Sequence, residues 1–332
     1  MMLSHEKTRL LRITNKADKS NLETHNPVHI SGHKIELSEH AEHVGVVRSV
    51  EGNMPHILNR IAAHRKALRV TLSSGVAQKS RANPMVGLKL QKVYGSPVLL
   101  SGVASLVLTQ YETSVLAKHL KGTYQNIQKL AQNTPRSVIH FLGGCLPGEA
   151  VIHLQILSLF GMVARLPRSD PLRIHAEHTV TVRKSSSKSW VWYVRDICLQ
   201  YGLPHPIITL KNPPNKKEYK KLVKSKLVDY WERTLRGESS LLKSLEYFHP
   251  EYMSLTKPHP VWASVGSNPY ETAKAVQQAQ FLSGRYRSGS LTKHWSANKE
   301  GFCLAPTCEN ELETIEHILM HCSAYIECKR RL

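Results

Sequence analysis

Four residues near the C-terminal end have the chemistry of a metal centre. Cys303, Cys308, His317 and Cys322 fall as C-x4-C-x8-H-x4-C within the stretch GFCLAPTCENELETIEHILMHC. Zinc takes thiolate and imidazole donors four at a time in a tetrahedron, typically two from a tight turn and two from a following helix or its end. Pro306 and Thr307 supply a turn for the first pair. Residues 314–320, with Ile315, Ile318 and Leu319 apolar, read as a short helix that carries His317 on its body and leaves Cys322 just past its end. His317 and Cys322 share a face only where the helix has stopped, so His321 and Cys328 stand as alternative ligands. Four protein ligands leave no open position for water, which makes such a site structural rather than hydrolytic. The middle gap is longer than that of retroviral zinc knuckles, which share the H-x4-C ending.

A second set of residues is cationic. Lys216, Lys217, Lys220, Lys221 and Lys224 lie in NKKEYKKLVKSKLVDYWERTL, where Tyr219, Leu222, Val223, Leu227, Tyr230, Trp231 and Leu235 recur at three- and four-residue steps. That spacing predicts an amphipathic helix with the lysines outside its apolar stripe. Five lysines in the first turns sit against the positive end of the helix dipole, which favours an anionic partner. Arg60, Lys66 and Arg69 line one side of an earlier helix, opened by Asn53 and Pro55, whose other side carries Ile57, Leu58, Ile61, Ala62 and Leu68.

The composition agrees with a polyanionic partner. Lys and Arg number 45 against 25 acids, a formal charge of +20 on 332 residues. Self-repulsion of that size is most often tolerated because the protein binds nucleic acid. No apolar run approaches the roughly 18 residues of a membrane span, and MMLSHEKTRLL lacks the apolar region of a signal peptide. Six cysteines, four of them in the last thirty residues, suit metal binding in nucleus or cytoplasm better than a secreted disulfide framework.

The elements that must position these groups are mostly helical, with a small β region at the N-terminus, an α+β class. VHI, Ser31-Gly32 and HKIEL read as a two-residue hairpin, followed by the short run HVGVVR from His43 to Arg48. YGSPVLLSGVASLVL, from Tyr94 to Leu108, is the most apolar segment and reads as a buried element of the core. The next helix turns Leu116, Leu120, Ile127 and Leu130 inward. Another starts at Pro147-Gly148-Glu149 and ends near Arg165. Residues 167–189 are polar and without pattern, and read as a linker or loop. WVWYVRDICLQYGLP is a helix stopped by Gly202, with Cys198 in its packed face. NPYETAKAVQQAQFLSG is a helix capped by Asn268 and ended before Gly284.

The tail also resembles a known family. Cys308, Glu313-Thr314, His317-Ile318-Leu319 and Cys322, followed by Tyr325 and Arg330, resemble the zinc-binding segment ending the reverse transcriptases of LINE-type non-LTR retrotransposons. The first cysteines here are separated by four residues where that family usually has two. FLGGCLPGEAVIHLQILSLFG, preceded by NIQKLAQNTPR, is similar to the segment after the family's thumb, and YGSPVLLSG to its thumb helix. HVGVVR with Asn53 and NRIAAHRKAL resembles the last palm strand and its continuation. Glu6-Lys7-Thr8 resembles the motif after the catalytic carboxylates, which makes Lys7 the match to the lysine near the incoming triphosphate.

The resemblance implies a palm remnant over 1–50, a helical thumb over 51–166, the linker, a basic helical connection over 190–298 and a zinc module over 299–332. It implies contact with RNA and DNA, with the zinc module helping to position them near a primer end. RNA-directed DNA polymerisation, in the intact parent, needs carboxylates to hold two magnesium ions. No Asp-Asp pair occurs in this chain, so the expectation is a C-terminal fragment that binds nucleic acid but does not polymerise by itself. A domesticated or decayed element, serving as a zinc-containing scaffold for nucleic acid or protein, is the alternative.

Overall fold

The computed structural model describes residues 28–30, 32–35, 38–43, 45–50, 52–73, 83–182, 189–245, 248–266, 268–286, 288–292, 300–308 and 310–325. Lys7, Cys328 and Arg330 lie outside them. The described residues are mostly helical with a small β region near the N-terminus, as the patterning predicts. Strands β1 (His29–Ile30) and β2 (His33–Lys34) form one antiparallel ribbon, and β3 (His40–His43) and β4 (Val46–Ser49) another. Helices follow as α1 (Met54–Ser73), α2 (Pro84–Leu90), α3 (Ser96–Leu100), α4 (Gln110–Ile127), α5 (Arg136–Gly143), α6 (Gly148–Ala164) and α7 (Pro171–Val182). Then come α8 (Trp190–Gln200), α9 (Pro206–Lys211), α10 (Lys216–Ser240), α11 (Pro260–Ala263), α12 (Pro269–Leu282) and α13 (Gly289–Thr292). Among the described residues no single helix is long and apolar enough to cross a membrane.

The helices sort into two compact units. The first draws on the chain up to Val70, on Gln91–His119 and on Gly148–Leu227; the second takes Thr71–Leu90, Leu120–Pro147 and the chain from Val228 on. In the first unit both ribbons turn at glycines with positive φ, Gly32 at 80° and Gly45 at 75°, as two-residue hairpins require. HVGVVR therefore is not one strand: it folds back at Gly45, pairing His43 with Val46.

Helix α1 departs from its expected face. Ile57 and Ile61 are buried, but Leu58 is 56% exposed and Ala62 is exposed too. The buried side is completed by His56 and His64, which are fully covered because their polar atoms are spoken for. His56 Nδ1 accepts from the Val47 amide at 3.2 Å while its Nε2 donates to the Ser101 carbonyl at 3.0 Å. His64 meets His119 Nε2 at 2.9 Å through Nδ1 and donates to Gln91 Oε1 at 3.0 Å through Nε2. Asn53, which opens α1, is fixed by Glu112: Thr109 and Glu112 form a capping box at the start of α4, and Asn53 Nδ2 donates to Glu112 Oε2 at 3.2 Å.

The apolar segment 94–108 lies in the core, with Leu99, Leu100, Val103, Leu106 and Leu108 buried. It does so in pieces, as a π turn over Gln91–Gly95, α3, and a 3-10 turn over Val103–Ser105. Pro97 restarts the helix and Gly102, at φ 77°, ends it. Helix α6 is buried on nearly all sides, and Gly161 lets the ring of Tyr219 approach to where a side chain would be, a Cβ there falling 2.3 Å from Cε1. Cys198 packs in the α8 face as expected, and burial pushes its thiol up to about 12.

Residues 167–189 were expected as a linker or loop, and that expectation is corrected: α7 occupies 171–182. Asp170 Oδ1 accepts from the Leu172 amide at 2.9 Å and Pro171 begins the helix. Its buried side is Arg173, Ala176 and Thr179, which carries helical spacing without a large apolar residue. Arg173 survives burial by donating to the carbonyls of Leu166 at 2.7 Å and Leu210 at 2.9 Å and to Glu177 at 2.9 Å.

In the second unit Trp262 is fully buried, and its indole donates to Gln128 Oε1 at 3.2 Å. Asn268 caps α12 and Gly284 follows its end at φ 62°, as the sequence predicts. Gly144 closes α5 at φ 56°, and a Cβ built on it lies 2.3 Å from Lys257 C and Pro258 N. Both the left-handed backbone and the approaching main chain exclude a side chain. Gly144→Ala is expected to destabilise the second unit by about 3 kcal/mol, the sum of backbone strain and overpacking. Urea unfolding followed by Trp262 fluorescence checks it, and an unchanged midpoint would refute the packing argument.

Candidate metal centre and basic surface

The tail places the four sequence-predicted ligands together. A β-bridge between Phe302 and Leu312, with the Cys303 amide donating to the Glu311 carbonyl at 2.8 Å, sets Cys303 beside the strand that leads to His317. The Cys308 amide donates to the Ala305 carbonyl at 3.0 Å, so the Pro306-Thr307 turn brings the second thiol back toward the first. Thr314 caps the next turn by accepting from the His317 amide at 3.0 Å. That turn is a π turn over His317–His321, closed by the Cys322 amide donating to the His317 carbonyl at 2.7 Å.

The π geometry answers how residues five apart can share a ligand set. In an α-helix of 3.6 residues per turn, position i+5 lies about 140° around the axis from position i. A turn closed from i to i+5 is wider and brings the two back to one side. Cys322, the residue past the turn, is extended at φ −62° and ψ 120°. His321 is exposed and is not among the gathered ligands.

The ligand atoms of Cys303, Cys308, His317 and Cys322 all lie within 4.8 Å of one another. Cys322 Sγ is 3.7 Å from Cys303 Sγ and 3.9 Å from Cys308 Sγ. Tetrahedral zinc with Zn–S bonds of about 2.3 Å holds its sulfurs roughly 3.8 Å apart, whereas a disulfide would need about 2.05 Å. The histidine supplies the sharper test. Its Nδ1 lies 2.6 Å from Glu311 Oε2, while its Nε2 is buried with no hydrogen-bond partner among the described residues. A buried nitrogen left with a free lone pair is costly. A carboxylate on Nδ1 with an open Nε2 is the arrangement seen at zinc-ligating histidines, because it fixes the tautomer and raises the basicity of the ligating nitrogen. The residues fit a metal ion such as zinc. Hydrogen bonds from Ser323 pull the Cys308 thiol down to about 6, toward the ligating thiolate form, while burial pushes the neighbouring Cys303 thiol up to about 11.

Glu311 and Ser323 carry no signal of their own in the sequence. Their roles depend on a ribbon and a turn that only the folded tail defines.

The basic residues divide. On α10, the row Tyr219, Val223, Leu227, Trp231 and Leu235 is buried at strict four-residue steps, and Lys216, Lys217, Lys220, Lys221 and Lys224 are all exposed. Leu222, expected in the apolar stripe, lies at 36% exposure outside that row. On α1, Lys66 and Arg69 are exposed and Arg65 joins them, but Arg60 is half-buried, with a covered Nε that has no hydrogen-bond partner among the described residues. Lys7 lies outside the described residues, so its proposed match to a triphosphate-binding lysine has no geometry here. Compared with protein-family models, with curated proteins and with solved structures, the chain matches none.

Proposed function

We propose that this chain binds RNA or DNA through phosphates, as the C-terminal portion of a LINE-type reverse transcriptase would, with a structural zinc ion holding its tail. The observation that supports the reading best is the start of α10. Five lysines stand in solvent on a helix whose other side is pinned by a continuous buried row. Lysines anchored at helical spacing neutralise successive phosphates without reading bases, so binding is strong at low salt and indifferent to sequence. Lys66 and Arg69 add to the field; Arg60, half-buried beside His56, contributes less direct contact. Zinc is the ion that three thiolates and one imidazole select, and with the sphere filled it supplies folding energy rather than chemistry.

Replacing the five α10 lysines with glutamine keeps helix propensity while removing the charge. The slope of log affinity against log salt for a single-stranded RNA is expected to fall by about 3 to 4. An unchanged slope removes α10 from the interface.

A further inference from the structure

The metal module differs in charge from the rest of the chain. Residues 300–325 hold five glutamates and no lysine or arginine in a protein of formal charge +20, the lysines and arginines of 299–332 being Lys299 before them and Lys329, Arg330 and Arg331 after. Glu300, Glu311 and Glu316 are exposed and Glu313 half-buried. A divalent ion held by three thiolates leaves the centre negative as well. Phosphates are repelled by such a surface, so the module is ill-suited to the polyanion that the lysines of α10 attract.

The same module leaves large apolar side chains in water. Leu304 is 82% exposed, Met320 70%, Leu312 49% and Leu319 48%. One exposed leucine means little. Three of these flank ligands, since Leu304 follows Cys303 and Leu319 and Met320 ride the turn between His317 and Cys322, while Leu312 follows Glu311, whose carboxylate meets His317 Nδ1. Ligand atoms within 4.8 Å of one another hold their flanking side chains around a single small centre. Apolar anchors rimmed by one sign of charge mark a protein docking surface, and methionine adapts such a surface to its partner.

We infer that the metal module is a docking site for a partner protein, and that its occupant is a basic segment bearing apolar anchors. Charge complementarity chooses the occupant: lysine or arginine meets the glutamate rim while leucine or aromatic side chains cover Leu304 and Met320. The inference is independent of the nucleic-acid reading, since it uses neither α10 nor α1.

Selection of a displayed 16-residue peptide library on the full metal-loaded chain tests it. The expected result is enrichment of peptides that combine Lys or Arg with Leu, Phe or Trp, against the repulsion of the basic body. The Leu304→Ser, Met320→Ser double variant should keep one zinc per chain and an unchanged salt slope for RNA, yet lose at least tenfold in peptide affinity. Absence of enrichment, or peptides that bind the variant equally, overturns the proposal. So does binding that emerges only after residues 326–332 are removed, which assigns the face to the chain's own end. A dimer that the double variant abolishes, read by analytical ultracentrifugation, assigns it to a second copy and overturns it equally.

Discussion

His317→Ala is expected to empty the metal centre, taking zinc content from one per chain to near zero, and to unfold residues 300–325 while the helices keep their structure. The module has no apolar core to fall back on. Among its described residues the buried side chains are Cys308, His317 and Cys322, three of the ligands themselves. Around them Leu304, Leu312, Leu319 and Met320 face water. Apparent binding free energies of ~10–16 kcal/mol for structural zinc at pH 7 therefore amount to the folding energy of this segment. Metal analysis of the purified chain reads the first effect, and hydrogen exchange over residues 300–325 the second. His321→Ala is the control: its ring is exposed, so content stays at one. Glu311→Ala should retain the ion with affinity weakened about 10–100-fold, because the ligating nitrogen loses the carboxylate that orients it. A His317→Ala protein that still held one zinc would sink the assignment.

Elements whose buried face is apolar were legible from the sequence. The α10 row and the Asn268 cap follow from period and residue type alone, and the ligand spacing singled out the four residues that the tail gathers. Where the buried face is polar, the reading failed. Helix α7 hides an arginine, an alanine and a threonine, so hydropathy shows no stripe, and its signal was the Asp170-Pro171 start. On α1, histidines at 56 and 64 occupy positions assigned to Leu58 and Ala62, since saturated hydrogen bonding makes an imidazole as buriable as a leucine. The turn at His317 was legible in outline: Cys322 lies just past its end, extended, as the spacing required, and what 3.6-residue spacing does not carry is the wider i to i+5 closure of that turn.

The buried histidines make acid the second large lever on this protein. His153 in the first unit and His140 in the second are each more than nine-tenths covered. Burial holds the His153 pKa down to about 4, its Nδ1 accepting from the Tyr201 hydroxyl at 2.8 Å. Burial, reinforced by the Arg136 guanidinium, holds His140 down to about 3 against the opposing hydrogen bond to the Cys145 carbonyl. Both rings are neutral in the fold and bind protons more weakly there than in the unfolded chain, where the pKa is near 6.5. Their contribution is therefore complete above pH 6.5 and is lost as pH falls from 6.5 toward 4 and 3, where the unfolded state takes up protons that the fold refuses. Full loss amounts to several kcal/mol for each histidine, comparable with the whole stability of an ordinary domain. Urea midpoints measured at pH 7 and pH 5 should drop steeply, with circular dichroism reporting the helices rather than the metal tail. His153→Gln, which can still accept from Tyr201, should flatten the drop while leaving its share of the first unit intact. A midpoint that held steady between those two pH values would mean that these rings are charged and solvated in the native protein, contrary to their burial.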